Sequence, residues 1–135
     1  MANAAAYKEF NGWTNKPYTE VFEYDFANDG GTAATYSLGK FLHKTLVLRG
    51  IVFVETACTS GGSATVIVGA STADVDAFLD ATSGAVANLI DNAVLTETAG
   101  TNLVVAANET LDLTIGVAAL TAGKIKVVLE CINVE

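Results

Sequence analysis

The sequence predicts an all-β fold, and three observations carry that prediction. Leu111, Leu113, Ile115 and Val117 alternate with Thr110, Asp112, Thr114 and Gly116. After a Gly-bearing connection over 118–123, Ile125, Val127, Leu129 and Cys131 alternate with Lys124, Lys126, Val128 and Glu130. Period-2 alternation of this kind is the mark of strands with one buried face. Similar strand signals recur at about 8–12-residue spacing along the chain, as in a sandwich or barrel. Long non-sequential connections favour a jelly roll over a meander. The expectation is therefore a single-domain jelly-roll β-sandwich over 21–135, with one short helix and an extended N-terminal arm over 1–20.

Taken in order, Met1 to Pro17 shows neither helical nor strand periodicity, and its three consecutive alanines (4–6) are too short a run for a stable helix. Aromatics crowd this end: nine of the eleven lie at or before Phe41, with only Phe53 and Phe78 beyond it. Trp13 stands between Asn11-Gly12 and Asn15-Lys16-Pro17, a turn-rich setting. An arm of this kind either folds over its own sandwich or docks on a neighbour, and aromatic anchors favour docking. Phe22, Tyr24 and Phe26 alternate with Glu23 and Asp25 in a half-buried strand, which Asn28-Asp29-Gly30-Gly31 ends. A further short strand is expected over 32–36.

Residues 45–55, TLVLRGIVFVE, are apolar on both faces. Leu46, Leu48, Val52 and Val54 are expected on one side, with Val47, Ile51 and Phe53 on the other. Such a strand is central or covered by another subunit, and Gly50 beside Arg49 marks a bulge or a close backbone approach. Residues 59–63 read as a turn and 64–68 as a strand. Ser71 followed by Asp74, with an apolar stripe of Val75, Phe78 and Leu79, predicts a short helix over 71–80. Leu89-Ile90, Val94-Leu95 and Leu103–Val105 read as short strands joined by turns.

The chain of 135 residues suits one domain that buries about two-thirds of its unfolded surface. Only 16% of residues are charged and 51% are hydrophobic, so part of the exterior is expected to be covered by other copies. The net charge of −8 is confined to residues 51–123, which hold eight acids and no Lys or Arg. Direct nucleic-acid binding, which needs clustered cations, is not expected. No secretion signal opens the sequence and no apolar run approaches ~18 residues, so no membrane segment is expected. Cys58 and Cys131 read as reduced thiols, the latter continuing an apolar strand face.

Catalytic chemistry is thinly represented. His43 is the single histidine, with no activated nucleophile among its neighbours. Neither cysteine has a CxxC partner, so zinc is not expected. Asp74, Asp76 and Asp80 suggest calcium, but Leu79 and Ala85 stand where the loop pattern requires Gly and Glu. The Gly-rich runs match neither a P-loop nor a dinucleotide fingerprint. No catalytic residue, cofactor or metal is assigned, and an enzyme is not expected.

The run SATVIVGASTADVDAFLDAT, followed by NETLDLTIGVAALTAGKIKVVLECINV, resembles the jelly-roll head decoration, or cement, proteins of tailed bacteriophages. The likeness lies in the TVIVG strand and in Leu111–Gly116 and Leu120–Leu129. It covers roughly 45–134, and the closing strand has Cys131-Ile132 in place of the usual late aromatic. The resemblance implies a homotrimer on the capsid exterior that binds the major capsid protein, reinforces the shell and performs no reaction. It implies residence in the virion after synthesis in the host bacterial cytoplasm. The residues expected at capsid or subunit contacts are Tyr7, Phe10, Trp13, Tyr18 and Arg49. The same architecture also supports a tail-fibre or carbohydrate-binding module, for which Trp13 and the Asn-rich 88–102 region would supply sugar contacts.

Overall fold

A computed structural model describes residues 16–135. The expected arm residues Tyr7, Phe10 and Trp13 lie outside them. Among the described residues nine strands form two antiparallel sheets: β1 (Tyr18–Asp25), β2 (Thr35–Lys40), β3 (Thr45–Ser60), β4 (Thr65–Ala70), β5 (Asp74–Leu79), β6 (Val94–Leu95), β7 (Leu103–Val105), β8 (Thr110–Gly116) and β9 (Leu120–Asn133). The first sheet runs β1-β9-β3-β6, with β7 also on β3, and the second runs β2-β8-β4-β5. The pairing is nested: β1 with β9, β2 with β8, β3 with β6 and β7, β4 with β5. Rolling such a ribbon lays β9 on β3 and β8 on β4, which is the jelly-roll arrangement.

The alternation in β8 and β9 places Leu111, Leu113, Ile115, Ile125, Val127, Leu129 and Cys131 in the core as expected. Each fully buried Leu, Ile or Val is worth about 1.5–3 kcal/mol over its exposed state. Aromatic contacts tie the two layers: the Tyr24 ring meets Tyr36 edge-on at 5.6 Å, and Phe22 lies 6.3 Å from Phe41. The Tyr24 hydroxyl donates to the Gly30 carbonyl at 2.6 Å, and burial first, then neighbouring Tyr36, push its pKa up.

β1 begins at Tyr18, three residues before the expected domain start, so Tyr18 to Glu20 belong to the sheet. β2 lies at Thr35–Lys40 rather than over 32–36, and β3 runs on to Ser60 through part of the expected turn. The inward face of β3 also differs from expectation. Val47 pairs with Cys131 and Arg49 with Glu130, so Leu48 is an extra residue in the ladder. That bulge reverses the alternation: Val47, Gly50, Val52 and Val54 point inward, while Leu46, Leu48, Ile51 and Phe53 point outward. Gly50 is also a close approach, since a Cβ there would lie 2.4 Å from the buried Phe78 ring.

The helix expected over 71–80 is not formed. Its residues make a turn and β5, because Asp74 and Leu79 pair with Ala70 and Val68 of β4, and that ladder takes the backbone groups a helix would use internally. Ala77, Phe78 and Leu79 are all buried, whereas Val75 is exposed, a pattern no single helical stripe gives. The short helix lies at Phe26–Asp29 instead, where Asp25 caps Ala27 N–H at 3.0 Å and Gly30 takes a positive φ of 80°. Leu89-Ile90 follows a 3-10 turn at Val86–Asn88 and is no strand, although Leu89 is fully buried. β6 and β7 match the other two expected short strands.

Candidate interaction surface

The outward residues of the first sheet form rows across neighbouring strands. Val21 pairs with Val128, and Val128 with Ile51, giving an apolar row across three strands. On one side lies the row Glu23, Lys126, Phe53 and Val94; on the other, Thr19, Glu130 and Arg49. Val21 and Val94 are more than half exposed, at 57% and 60%. Both flanks carry ion pairs. Glu55 lies 3.4 Å from Lys126 and 3.6 Å from Lys124, which also stands 3.8 Å from Glu23. Arg49 stands 3.9 Å from Glu130, with most of its side chain in solvent. Exposed pairs like these set orientation more than they add stability.

Arg49 therefore occupies a surface position, beside a notch of about 70 Å³ lined by Thr19, Ile51, Val128 and Glu130. On its other side a hollow of about 300 Å³ is bounded by Ile51, Thr96, Glu97, Thr98 and Thr101. Glu97 Oε1 is buried there without a hydrogen-bond partner. Tyr18, opposite Cys131, is one row from Thr19 but on the inward side. It lines a separate hollow of about 240 Å³ with Glu20, Phe22, Lys40, Phe41, Leu42, His43 and Thr45. The fold does not bring Tyr18 and Arg49 together: they serve opposite faces of one sheet. His43 shares its hollow with one carboxylate, Glu20, and its carbonyl accepts from the Thr45 hydroxyl at 2.8 Å.

The second sheet presents a different exterior. Thr35, Thr114 and Ile67 form one outward row, and Ser37, Asp112 and Gly69 the next. The Thr35 and Thr114 hydroxyls share a hydrogen bond of 3.0 Å, and Thr110 donates to Asp112 at 2.7 Å. At its edge, Glu109 Oε1 accepts from Thr72 N–H at 2.7 Å and Ala73 N–H at 2.8 Å, and Oε2 from Ala106 N–H at 3.0 Å. Burial works to raise the Glu109 carboxyl, and these three backbone donors outweigh it, holding it below the ordinary glutamate range. A hydrogen bond shared with Asp74 raises the Asp76 carboxyl.

Among the described residues, no group of three or more His, Cys, Asp or Glu side chains has the geometry to hold a metal ion. The Asn-rich stretch is used internally. Asn88 donates to the Thr82 and Ser83 carbonyls, and Asn92 and Asn102 take left-handed turn conformations at φ 63° and 58°. Cys58 and Cys131 are buried free thiols, each pushed up to about 11, chiefly by burial. No helix among the described residues is long and apolar enough to cross a membrane.

Sequence reasoning singled out Arg49 but missed the row beside it. Val21, Ile51 and Val128 are separated by dozens of residues, and only the register set by the Leu48 bulge aligns them.

No family model matches the chain, and no curated protein sequence does. Solved structures do. A chain in the cyanophage Pam1 capsid asymmetric unit superposes with a TM-score of 0.65 at 17% identity, covering 98% of this chain and 96% of that one. A chain in the capsid of Ralstonia phage GP4 gives 0.67 at 12% identity, covering 100% and 96%. One in the acidic stable capsid of Helicobacter pylori bacteriophage KHP30 gives 0.57 at 14%, covering 86% of each. This chain has the fold of a capsid-borne phage chain. Near-complete coverage in both directions makes the first two matched chains about as long as this one.

Proposed function

We propose that the protein is a bacteriophage capsid decoration, or cement, protein that binds the outer surface of the assembled head and stabilises it without catalysis. The observation that carries this reading is the end-to-end match to chains of nearly equal length within phage capsids. A small chain covered along its whole length fits an added subunit better than a shell-forming one with further domains. The partner is the major capsid protein, and the protein resides on the virion exterior after synthesis in the host cytoplasm. A ligand that binds only the assembled lattice stabilises that state by mass action. A homotrimer engages three lattice sites together, so weak single contacts become tight through effective concentration.

The arm, with Tyr7, Phe10 and Trp13, and the Tyr18 hollow at its exit supply the contacts to the shell or to an adjacent subunit. A chain of 15 residues reaches up to about 50 Å when extended, enough to leave its own sandwich. The test removes residues 1–15, which stops short of β1, and measures how much protein co-sediments with heads stripped of it. Occupancy is expected to fall at least tenfold; unchanged occupancy takes the arm out of the mechanism.

A further inference from the structure

We infer that the outward face of the first sheet is a contact between two copies of this chain, related by a twofold axis lying along the row Val21–Val128–Ile51. The contact forms in solution and does not depend on the shell-binding reading.

The first argument is the pattern of the face. Its central row is apolar across three strands, with Lys126 two positions to one side of Val128 on β9 and Glu130 two positions to the other. On β3, Phe53 and Arg49 flank Ile51 in the same way. A twofold axis along the central row sets each residue of that row against its own copy and exchanges the flanks. Lys126 then faces the second copy's Glu130, and Phe53 lies over its Arg49. The face is thus complementary to itself, as a closed two-copy interface requires. The pairings are of known kinds: opposite charges, and a guanidinium on an aromatic ring. The notch of about 70 Å³ beside Arg49, walled by Ile51 and Val128, is where the incoming Phe53 ring would seat.

The second argument is area. Four strand widths at about 4.8 Å and eight residues of β1 at about 3.3 Å give a footprint of about 500 Å² before side-chain relief. Stable interfaces bury about 800 Å² per partner, so this footprint sets the contact at the small, weak end, and association is expected to depend on concentration. Sheets that pack face to face run within about 30° of each other, and the axis sets β9 antiparallel to its own copy in that range.

Two measurements on the full chain test this. Light scattering of the purified protein at ~100 µM is expected to give twice the chain mass of 13.9 kDa, or an even multiple of it. Val128→Lys is expected to weaken association at least tenfold while leaving thermal unfolding nearly unchanged at dilutions where both chains are monomeric, because Val128 lies on the outer face. Separately, Val128→Cys is treated with a bis-maleimide of ~10 Å span, matching the spacing of stacked sheets. A residue on the axis faces itself, so this variant is expected to cross-link as a pair, while Thr114→Cys on the other sheet is not. The native thiols are buried, with pKa values of about 11, and stay silent. A monomer or a bare trimer at ~100 µM, in place of a dimer or a pair of trimers, overturns the contact, as does a multimer that Val128→Lys leaves intact. Cross-linking no better at Val128→Cys than at Thr114→Cys overturns the axis.

Discussion

The two outer faces of the sandwich have the same geometry and opposite chemistry. On the first sheet, Val21, Ile51 and Val128 lie in a row between flanks bearing Arg49, Lys124 and Lys126 with their acids. On the second, Thr35, Ser37, Thr114 and Asp112 make a mostly polar face around Ile67, and Lys40 is the one cation on its strands among the described residues. Threonine and serine satisfy themselves by hydrogen bonding with each other and with water, and need no partner. An apolar row between ion pairs is left incomplete in solvent. The difference indicates that one face is built to be covered and the other to stay wet.

The comparison breaks most severely at Gly50. Gly50→Ala puts a methyl into the buried Phe78 ring, with Leu129 3.0 Å away on the other side. Overpacking of this kind costs about 2–3 kcal/mol, and urea unfolding is expected to report it as a lower midpoint. Because Gly50 follows the bulge that turns Ile51 and Phe53 outward, association is expected to fall with stability.

A paired substitution sharpens the contrast without touching the core. Val128→Lys and Thr114→Lys place the same charge at the centre of each face, and both are expected to leave the stability of the dilute, monomeric chain within about 0.5 kcal/mol. Only the first is expected to reduce the mass seen in solution and the amount bound to heads. Equal effects from the two variants would erase the distinction between the faces.

Acid acts on the second sheet's edge. Glu109 holds Thr72, Ala73 and Ala106, and its carboxyl lies below the ordinary glutamate range. A depressed acid contributes stability that is fully present above the unfolded glutamate pKa, about 4.3, and lost as pH falls through the folded value. Amide protection at Thr72 and Ala73, taken relative to the intrinsic exchange rate at each pH, is expected to fall in that acidic window, and Glu109→Gln to lower it at the same amides at neutral pH. The first sheet's β9 amides are expected to stay protected under both conditions.

The smallest effect is expected at Thr35→Val. It removes the hydroxyl pair with Thr114 at an exposed position, and a few tenths of a kcal/mol is the expected loss by thermal melting.

How far the sequence revealed this arrangement varies by element. β8 and β9 were legible because each buries one face, so Leu111 to Ile115 and Ile125 to Cys131 carry the full period-2 signal. β5 was not. Ser71, Asp74 and Asp76 read as a helix start, and what makes them a strand instead is the ladder with β4, a pairing that local residue chemistry does not display. In β3, Gly50 pointed to the bulge, yet the face of Leu46 and Leu48 was assigned wrongly because one extra residue inverts everything after it. The apolar row was invisible for the same reason: it exists only once three strands are in register. Arg49, expected at a capsid or subunit contact, is placed by the structure on the outer face of the first sheet, beside Glu130.

The claim at the centre of this account is that the protein acts by binding an assembled phage shell and performs no chemistry. Sedimentation of the purified chain with intact phage heads that lack it, and separately with their dissociated capsid subunits, tests that claim most directly. The account predicts saturable binding to the heads, with a higher temperature or force needed to open them, and little binding to free subunits. Equal binding to both, or none to the heads, would contradict it.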